Sequence, residues 1–260
     1  MRVTILGCGG SGGVPLADGT PGGNWGACDP ENPRNRRLRV SVLVEAAGTA
    51  ILIDASPDLR QQILANEIGR IDALLFTHAH ADHCHGLDEL RALVYRQGGP
   101  IPTYMAARTR RQLTERFAYA FTSSREEDNL YRALLDDLEI VSPTEIGGLT
   151  VRPFEQEHGP ETTLGFRIGD FAYSTDVSGL DEPAFAGLEG LQLWVLDALR
   201  DRPHPTHSHI AQSLDWIARV KPARAVLTHL NQEVDYAELA SRCPEGVEPG
   251  YDGLVIELPD

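Results

Sequence analysis

No stretch of this sequence approaches the roughly 20 apolar residues of a membrane-crossing helix, so no membrane is expected among its partners. The opening residues Met1-Arg2-Val3-Thr4-Ile5-Leu6 turn glycine-rich at once. That is too short an apolar core for a secretory leader, and none is expected. Cysteine is scarce. Cys8, Cys28, Cys84 and Cys243 lie scattered with no C-x-x-C pair, which suits a cytoplasmic protein with free thiols. Basic residues are few: 23 against 38 acidic ones, a net charge of −15. Phosphate contacts dominate the grip on a long nucleic acid and call for a basic face. A long nucleic acid is therefore not expected as a partner. A small anion is allowed, because a bound metal ion reverses the local potential. The zinc signature H-E-x-x-H, internal repeats and low-complexity linkers are also absent.

The 260 residues, 42% of them apolar, are enough to bury a sizeable core, and residues 1–260 read as one domain. Short apolar runs, many rich in β-branched residues, predict strands at 3–6, 40–44, 50–53, 73–76, 149–154, 164–168, 171–174, 193–196, 225–227 and 254–258. Helix-like patterns fall at 58–66, 87–95, 108–121, 209–220 and 235–241. Strands followed by helices in both halves imply an α/β fold with helices covering sheets.

One stretch stands apart. Leu75-Phe76-Thr77-His78-Ala79-His80-Ala81-Asp82-His83-Cys84-His85-Gly86 holds four of the nine histidines and an aspartate. It follows an apolar strand and precedes a helix, so rigid elements hold it on both sides. His78 and His80 are two apart, and an extended segment points both the same way. The helix start then brings Asp82 and His83 around. Imidazole and carboxylate at this density are ligands for zinc, manganese or iron.

This H-x-H-x-D-H stretch resembles the signature of the metallo-β-lactamase superfamily. The resemblance implies an αββα sandwich with two metal ions at one edge, and three further ligands downstream in a fixed order. The sequence offers His158 in "FEQEHGP", Asp176 in "FAYSTDVSG" and His229 in "VLTHL". By resemblance, His78, His80 and His158 serve the first metal. Asp82, His83 and His229 serve the second, and Asp176 bridges. The expected cofactors are two divalent ions, Zn or Mn, with Fe also accommodated.

The N-terminal Gly7-Cys8-Gly9-Gly10-Ser11-Gly12 matches G-x-G-x-x-G and follows a strand. A dinucleotide fingerprint needs a helix next. The following "GVPLADGTPGGNWG", with its prolines and glycines, does not favour one. These glycines more simply let a long loop pass close to the metal site.

Three stretches narrow the branch: this Gly-Val-Pro loop, "RPHPTHSHIAQSLDWIARVKPARAVLTHL" and the ending "GYDGLVIEL". Together they resemble the phosphoribosyl cyclic phosphate phosphodiesterases of the carbon–phosphorus lyase pathway. They are less similar to the PQQ-biosynthesis protein B group and to ribonuclease Z. The resemblance implies hydrolysis of small cyclic phosphates or nucleotide phosphodiesters through a hydroxide bridging the metals. Hydrolysis of a thioester or lactone, or a PQQ-biosynthesis protein B-like role, is the alternative. It also implies His207 as general acid, with His204 and His209 flanking it and His209 as the rival. Asp82 is counted with the catalytic groups. Arg36, Arg37 and Arg39 either face the substrate or form a surface run. A homodimer is allowed.

One departure stands out. The phosphodiesterase group carries a cysteine cluster and a late histidine for a structural zinc. Here Cys28 is alone, and Gln232 stands in place of the histidine. No structural zinc is expected. Segment 122–137 is acidic and reads as a lid or a surface helix, not a tRNA-gripping arm.

Overall fold

A computed structural model describes residues 1–122 and 132–259. The first half builds β1 (Arg2–Gly7), β2 (Ser41–Ala46), β3 (Thr49–Ile53), β4 (Ala73–Leu75), β5 (Ile101–Met105) and β6 (Leu135–Glu139). The second half adds β7 (Thr144–Ile146), β8 (Leu149–His158), β9 (Glu161–Ile168), β10 (Phe171–Ser174), β11 (Leu193–Asp197), β12 (Arg224–Thr228), β13 (Val247–Pro249) and β14 (Leu254–Glu257). One sheet runs β14-β1-β2-β3-β4-β5-β6, the other β13-β12-β11-β10-β9-β8-β7. The last strand returns to pair antiparallel with the first, Val3 opposite Ile256.

The alternation of strand residues assigns them to layers. Val42 and Val44, and Ile51 and Ile53, meet Phe166, Phe171, Tyr173 and Val195 between the two sheets. Their neighbours Leu43 and Leu52 face outward under helices α1 (Leu59–Ala65), α3 (Arg91–Gln97) and α4 (Ala107–Arg116). On the other side Ala172, Trp194, Leu196 and Leu227 lie under α7 (Ile210–Val220) and α8 (Tyr236–Arg242). Strands buried on both faces carry nearly unbroken apolar runs. This is the αββα sandwich expected from the sequence.

Four strands went unpredicted, and each has a reason. Leu135–Glu139 carries three acidic residues because it is an edge strand, where charge guards the unpaired face. It also ends the segment 122–137, so that part is neither lid nor helix; residues 123–131 of it lie outside the described residues. Val247–Pro249 and Thr144–Ile146 are three-residue edges, and Ile101–Met105 contains a proline. The expected helix 108–121 is broken at Phe117 into α4 and the short α5 (Ala118–Phe121). Two short helices, α2 (Ala81–Cys84) and α6 (Glu182–Gly187), were also not predicted.

After β1 the chain stays irregular up to β2 except for a single 3-10 turn at Pro33–Asn35, so the dinucleotide fingerprint has no helix to serve. Asp252 fixes where this loop starts and ends, accepting the N–H of Cys8 (3.1 Å) and of Leu38 (2.7 Å). Burial of the carboxyl pushes its pKa up to about 7, against these hydrogen bonds and Arg37, which pull it down. An unfolded aspartate titrates near ~3.9. Between roughly pH 4 and 7 the unfolded chain has released this proton and the folded one has not, so stability falls as pH rises through that window and levels off above it. Asp252→Asn is expected to flatten that part of the curve. Urea denaturation of both proteins from pH 4 to 8 checks this, and parallel slopes would refute it.

Candidate metal centre

The parallel strands β3, β4, β10, β11 and β12 end at one edge of the sandwich, and the polar residues that follow them converge there. Three backbones adopt positive φ at this edge: Asp54 (62°), Asp176 (52°) and His229 (58°). Such strain in non-glycine residues clusters at functional sites.

Three of the rings, those of His78, His83 and His158, are turned by a bond to the outer nitrogen. Asp54 Oδ2 lies 2.7 Å from His83 Nδ1, while its two oxygens accept Thr77 N–H (2.9 Å) and Thr77 O–H (2.8 Å). Thr77 Oγ1 is also 3.0 Å from His78 Nδ1. His158 Nδ1 donates to Thr206 O at 2.6 Å. The Nε2 atoms therefore face inward. Asp176 Oδ1 stands 3.1 Å from His83 Nε2 and 3.4 Å from His229 Nε2; Oδ2 stands 3.7 Å from His78 Nε2 and 3.6 Å from His158 Nε2. Asp82 Oδ2 closes the second group, 3.4 Å from His83 Nε2 and 3.5 Å from His229 Nε2.

The donor atoms of His78, His80, His158 and Asp176 lie within 4.8 Å of one another, as do those of Asp82, His83 and His229. The buried Nε2 atoms of His78, His83 and His229 have no hydrogen-bond partner. Buried polar atoms are normally satisfied, so nitrogens aimed at one carboxylate without a bond fit a cation held between them. All seven sequence-derived ligand candidates are thus brought together, and a His/Asp cluster able to bind divalent metal is present. His158 does not follow its strand, as expected, but is the last residue of β8.

Without metal the charges pair among themselves. Burial alone would push His229 down, but Asp176, Asp82 and Asp197 outweigh it and raise it to about 9. Burial likewise opposes the charge on His83, which Asp176, Asp82 and Asp54 nevertheless hold well above the usual range. His78 is pushed down by burial and by the cationic His83. Asp176 resists the upward push of burial because His229 and His83 hold it well below the ordinary carboxylate range.

His207 sits over this cluster, with Nε2 3.8 Å from Asp176 Oδ2 and Nδ1 2.9 Å from Asp197 Oδ2. Asp197 is wholly buried. Its other oxygen, Oδ1, has no hydrogen bond and lies 3.9 Å from the equally unpaired His229 Nδ1. His209 is placed elsewhere: it is the N-cap of α7, with Nδ1 3.2 Å from Gln212 Oε1, and it is not among the residues lining the metal-site cavity. Of the two rivals, His207 lies at the cluster and His209 does not.

The arginine run is split: Arg36 is exposed, as the surface reading expects, while Arg37 is buried and Arg39 half-buried. Arg37 is buried, donating to Asn231 O (3.0 Å) and Asn35 Oδ1 (3.3 Å) beside the Cys28 thiol, which itself points at Val234 O (3.2 Å). Arg39 pairs with Asp58 at 2.8 Å, and Arg36 stacks on Trp25. The loop does pass close to the site, since a Cβ at Gly10 would touch His229 O at 3.4 Å, and Ser11 lines the cavity. Asp54 and Asp197 were missed. Their signal was a lone carboxylate ending a wholly apolar strand, in "AILID" and "LWVLD", where burial demands a charged partner.

The cavity above the cluster is about 330 Å³, lined by Ser11, His80, Asp82, Glu161, Thr206 and His207 among others. A larger one of about 970 Å³ lies at the opposite end of the first sheet, where Arg2 and Arg70 are paired with Glu45 and Asp72. Among the described residues it holds no metal-binding group.

The beta-lactamase superfamily domain matches residues 49–230. The chain belongs to the metallo-β-lactamase superfamily. Within that superfamily it is similar to a crystal structure described as a new diphosphatase from the PhnP family, with 33% identity, a TM-score of 0.88 and coverage of 99% of this chain and 98% of that one. Zinc-bound PqqB from Methylobacterium extorquens shares the fold at a TM-score of 0.74 and 22% identity, covering 99% of this chain and 100% of that one. An octanoyltransferase of Porphyromonas gingivalis is 34% identical over 259 residues, which are 98% of this chain but 51% of that protein. The chain thus spans about half the length of that relative. Among the described residues, no helix is long and apolar enough to cross a membrane.

Proposed function

We propose that this chain is a phosphodiesterase that holds two divalent ions, zinc, manganese or iron, and hydrolyses small cyclic phosphates or nucleotide phosphodiesters. The observation that carries this reading is the placement of His207. A histidine braced by a buried carboxylate, facing two groups of ligands that share Asp176, is the arrangement needed to expel a poor leaving oxygen. The similarity to a PhnP-family diphosphatase supports phosphorus chemistry, and the cavity volume supports a small substrate.

His78, His80 and His158 would hold one ion, and Asp82, His83 and His229 the other, with Asp176 between them. Bound divalent ions supply a hydroxide nucleophile at neutral pH and neutralise phosphoryl charge. The chain's own groups do the rest. Asp54, Thr77 and Thr206 fix the ring orientations, as partners of metal-bound histidines usually do. As the bond from phosphorus to the leaving oxygen breaks, His207 Nε2 gives that oxygen a proton. Asp197 Oδ2 accepts from Nδ1 and stabilises the charged ring before transfer. The thiols of Cys8, Cys28 and Cys84 are buried and unpaired, which supports a cytoplasmic setting.

The octanoyltransferase relative favours a second reading, hydrolysis of an acyl ester or thioester. One panel separates the two. Protein loaded with zinc, manganese or iron is offered bis(p-nitrophenyl) phosphate, a ribose cyclic phosphate, an octanoyl thioester and a lactone. Phosphodiester turnover at least tenfold above acyl turnover is expected, tenfold being about 1.4 kcal/mol of barrier. Acyl turnover with inert phosphodiesters overturns the proposal.

A further inference from the structure

Glu161 enters the site because of a turn. Strands β8 and β9 join through Gly159 and Pro160 alone, so His158 and Glu161 are direct cross-strand partners. Partners opposite one another point to the same face, with their Cβ atoms about 5 Å apart. A side chain at 161 must therefore share the face of His158, a metal-ligand candidate. The turn is well specified: Gly159 has φ +61°, and a Cβ there would meet Thr206 Cγ2 at 2.6 Å.

The Glu161 carboxylate is held asymmetrically. Arg108 of α4 reaches from the other half of the sandwich and donates to Oε1. Oε2 takes no hydrogen bond among the described residues and stands 3.8 Å from His80 Nε2, at the rim of the cavity. Both side chains are partly exposed, and an exposed ion pair adds little to stability. A carboxylate at the mouth also disfavours an anion there. What it favours is a neutral hydrogen-bond donor, and the free Oε2 is an acceptor placed beside the ligand cluster.

We infer that Glu161 selects substrates bearing a free hydroxyl on the sugar next to the scissile phosphate, with Arg108 positioning it. This rests on the phosphodiesterase reading and adds to it the residue that discriminates among sugar phosphodiesters. Oε1 stays on Arg108, and Oε2 accepts the sugar O–H. No bond to the metal ions is needed.

The test uses the metal-loaded protein and three substrates: ribose 1,2-cyclic phosphate, its 3-deoxy analogue, and bis(p-nitrophenyl) phosphate, which has no hydroxyl. A hydrogen bond to a charged acceptor corresponds to about 10- to 100-fold. The wild type should prefer the hydroxylated sugar over the deoxy analogue by that factor in kcat/KM. Glu161→Ala should erase the preference while leaving bis(p-nitrophenyl) phosphate turnover and metal content unchanged. Arg108→Met should raise KM for the hydroxylated sugar with kcat little changed, and Arg108→Lys should recover part of it. A preference that survives Glu161→Ala overturns the inference. So does a lost metal equivalent, which would make Glu161 a ligand. Failure of the wild type on all three substrates instead overturns the phosphodiesterase reading beneath it.

Discussion

Asp176→Ala is expected to strip the protein of metal and of turnover together. Its carboxylate faces both groups of donors. One of its oxygens looks at His83 and His229, the other at His78 and His158, all between 3.1 and 3.7 Å. Losing the carboxylate removes a shared ligand candidate and a full negative charge from a pocket where four imidazoles converge. Burying like charges without compensation is costly, so a second ion would enter an uncompensated site. Elemental analysis after purification without chelator should give more than one equivalent for the wild type and well under one for the variant. Hydrolysis should fall ~10³-fold or more, since bound ions supply several kcal/mol of barrier reduction. Asp176→Asn keeps the shape and loses only the charge, and should behave almost as badly. Full occupancy in either variant would falsify the bridging role.

The sheets and the ligands were legible in the sequence for different reasons. The central strands are buried on both faces, so runs such as Ala50–Ile53 or Leu193–Leu196 are apolar throughout and declare themselves. Edge strands have one neighbour and keep charge, as Leu135–Glu139 does, so they look like loops. The ligand candidates were legible through residue type, because metal chemistry tolerates few side chains, and through the order that the family resemblance implies. The groups that aim them were not. Asp54 and Asp197 meet residues distant along the chain: Asp54 meets His83, 29 positions away, and Asp197 meets His207, 10 positions away. The apolar strand before each marks it as buried, but nothing local says which histidine it meets. The arginine run shows the converse. Arg36, Arg37 and Arg39 look like a surface patch, yet Arg37 is buried, where its guanidinium donates to the carbonyl of Asn231.

Asp197 is also where the two halves of the proposed chemistry meet. It holds His207 through Oδ2, while Oδ1 and His229 Nδ1, both unpaired, face each other at 3.9 Å. A small approach would join them, and one carboxylate would then brace both a ligand candidate and the proposed acid. Replacing it therefore differs from replacing the acid. Asp197→Asn should lower metal retention as well as proton donation.

His207→Ala should touch proton donation alone, and the second large effect follows from that. A general acid matters in proportion to the basicity of the oxygen it protonates and typically supplies ~10²–10⁴-fold. A nitrophenolate leaves without help, whereas a ribose alkoxide does not. His207→Ala is thus expected to slow a ribose cyclic phosphate by that factor, and bis(p-nitrophenyl) phosphate by less than about tenfold. Metal content should stay at the wild-type level, because the ligand candidates keep their own braces at Asp54, Thr77 and Thr206. His209→Ala, altering a residue outside the cavity lining, is the paired control and should leave both substrates alike. In Asp197→Asn both substrates should fall, the ribose phosphate further. The rival role for His207 is that of a ligand, since its Nε2 shares a possible donor group with Asp176 and His229. Equal losses on both substrates, accompanied by a lost metal equivalent, would move His207 from acid to ligand and leave the leaving oxygen without its proton donor.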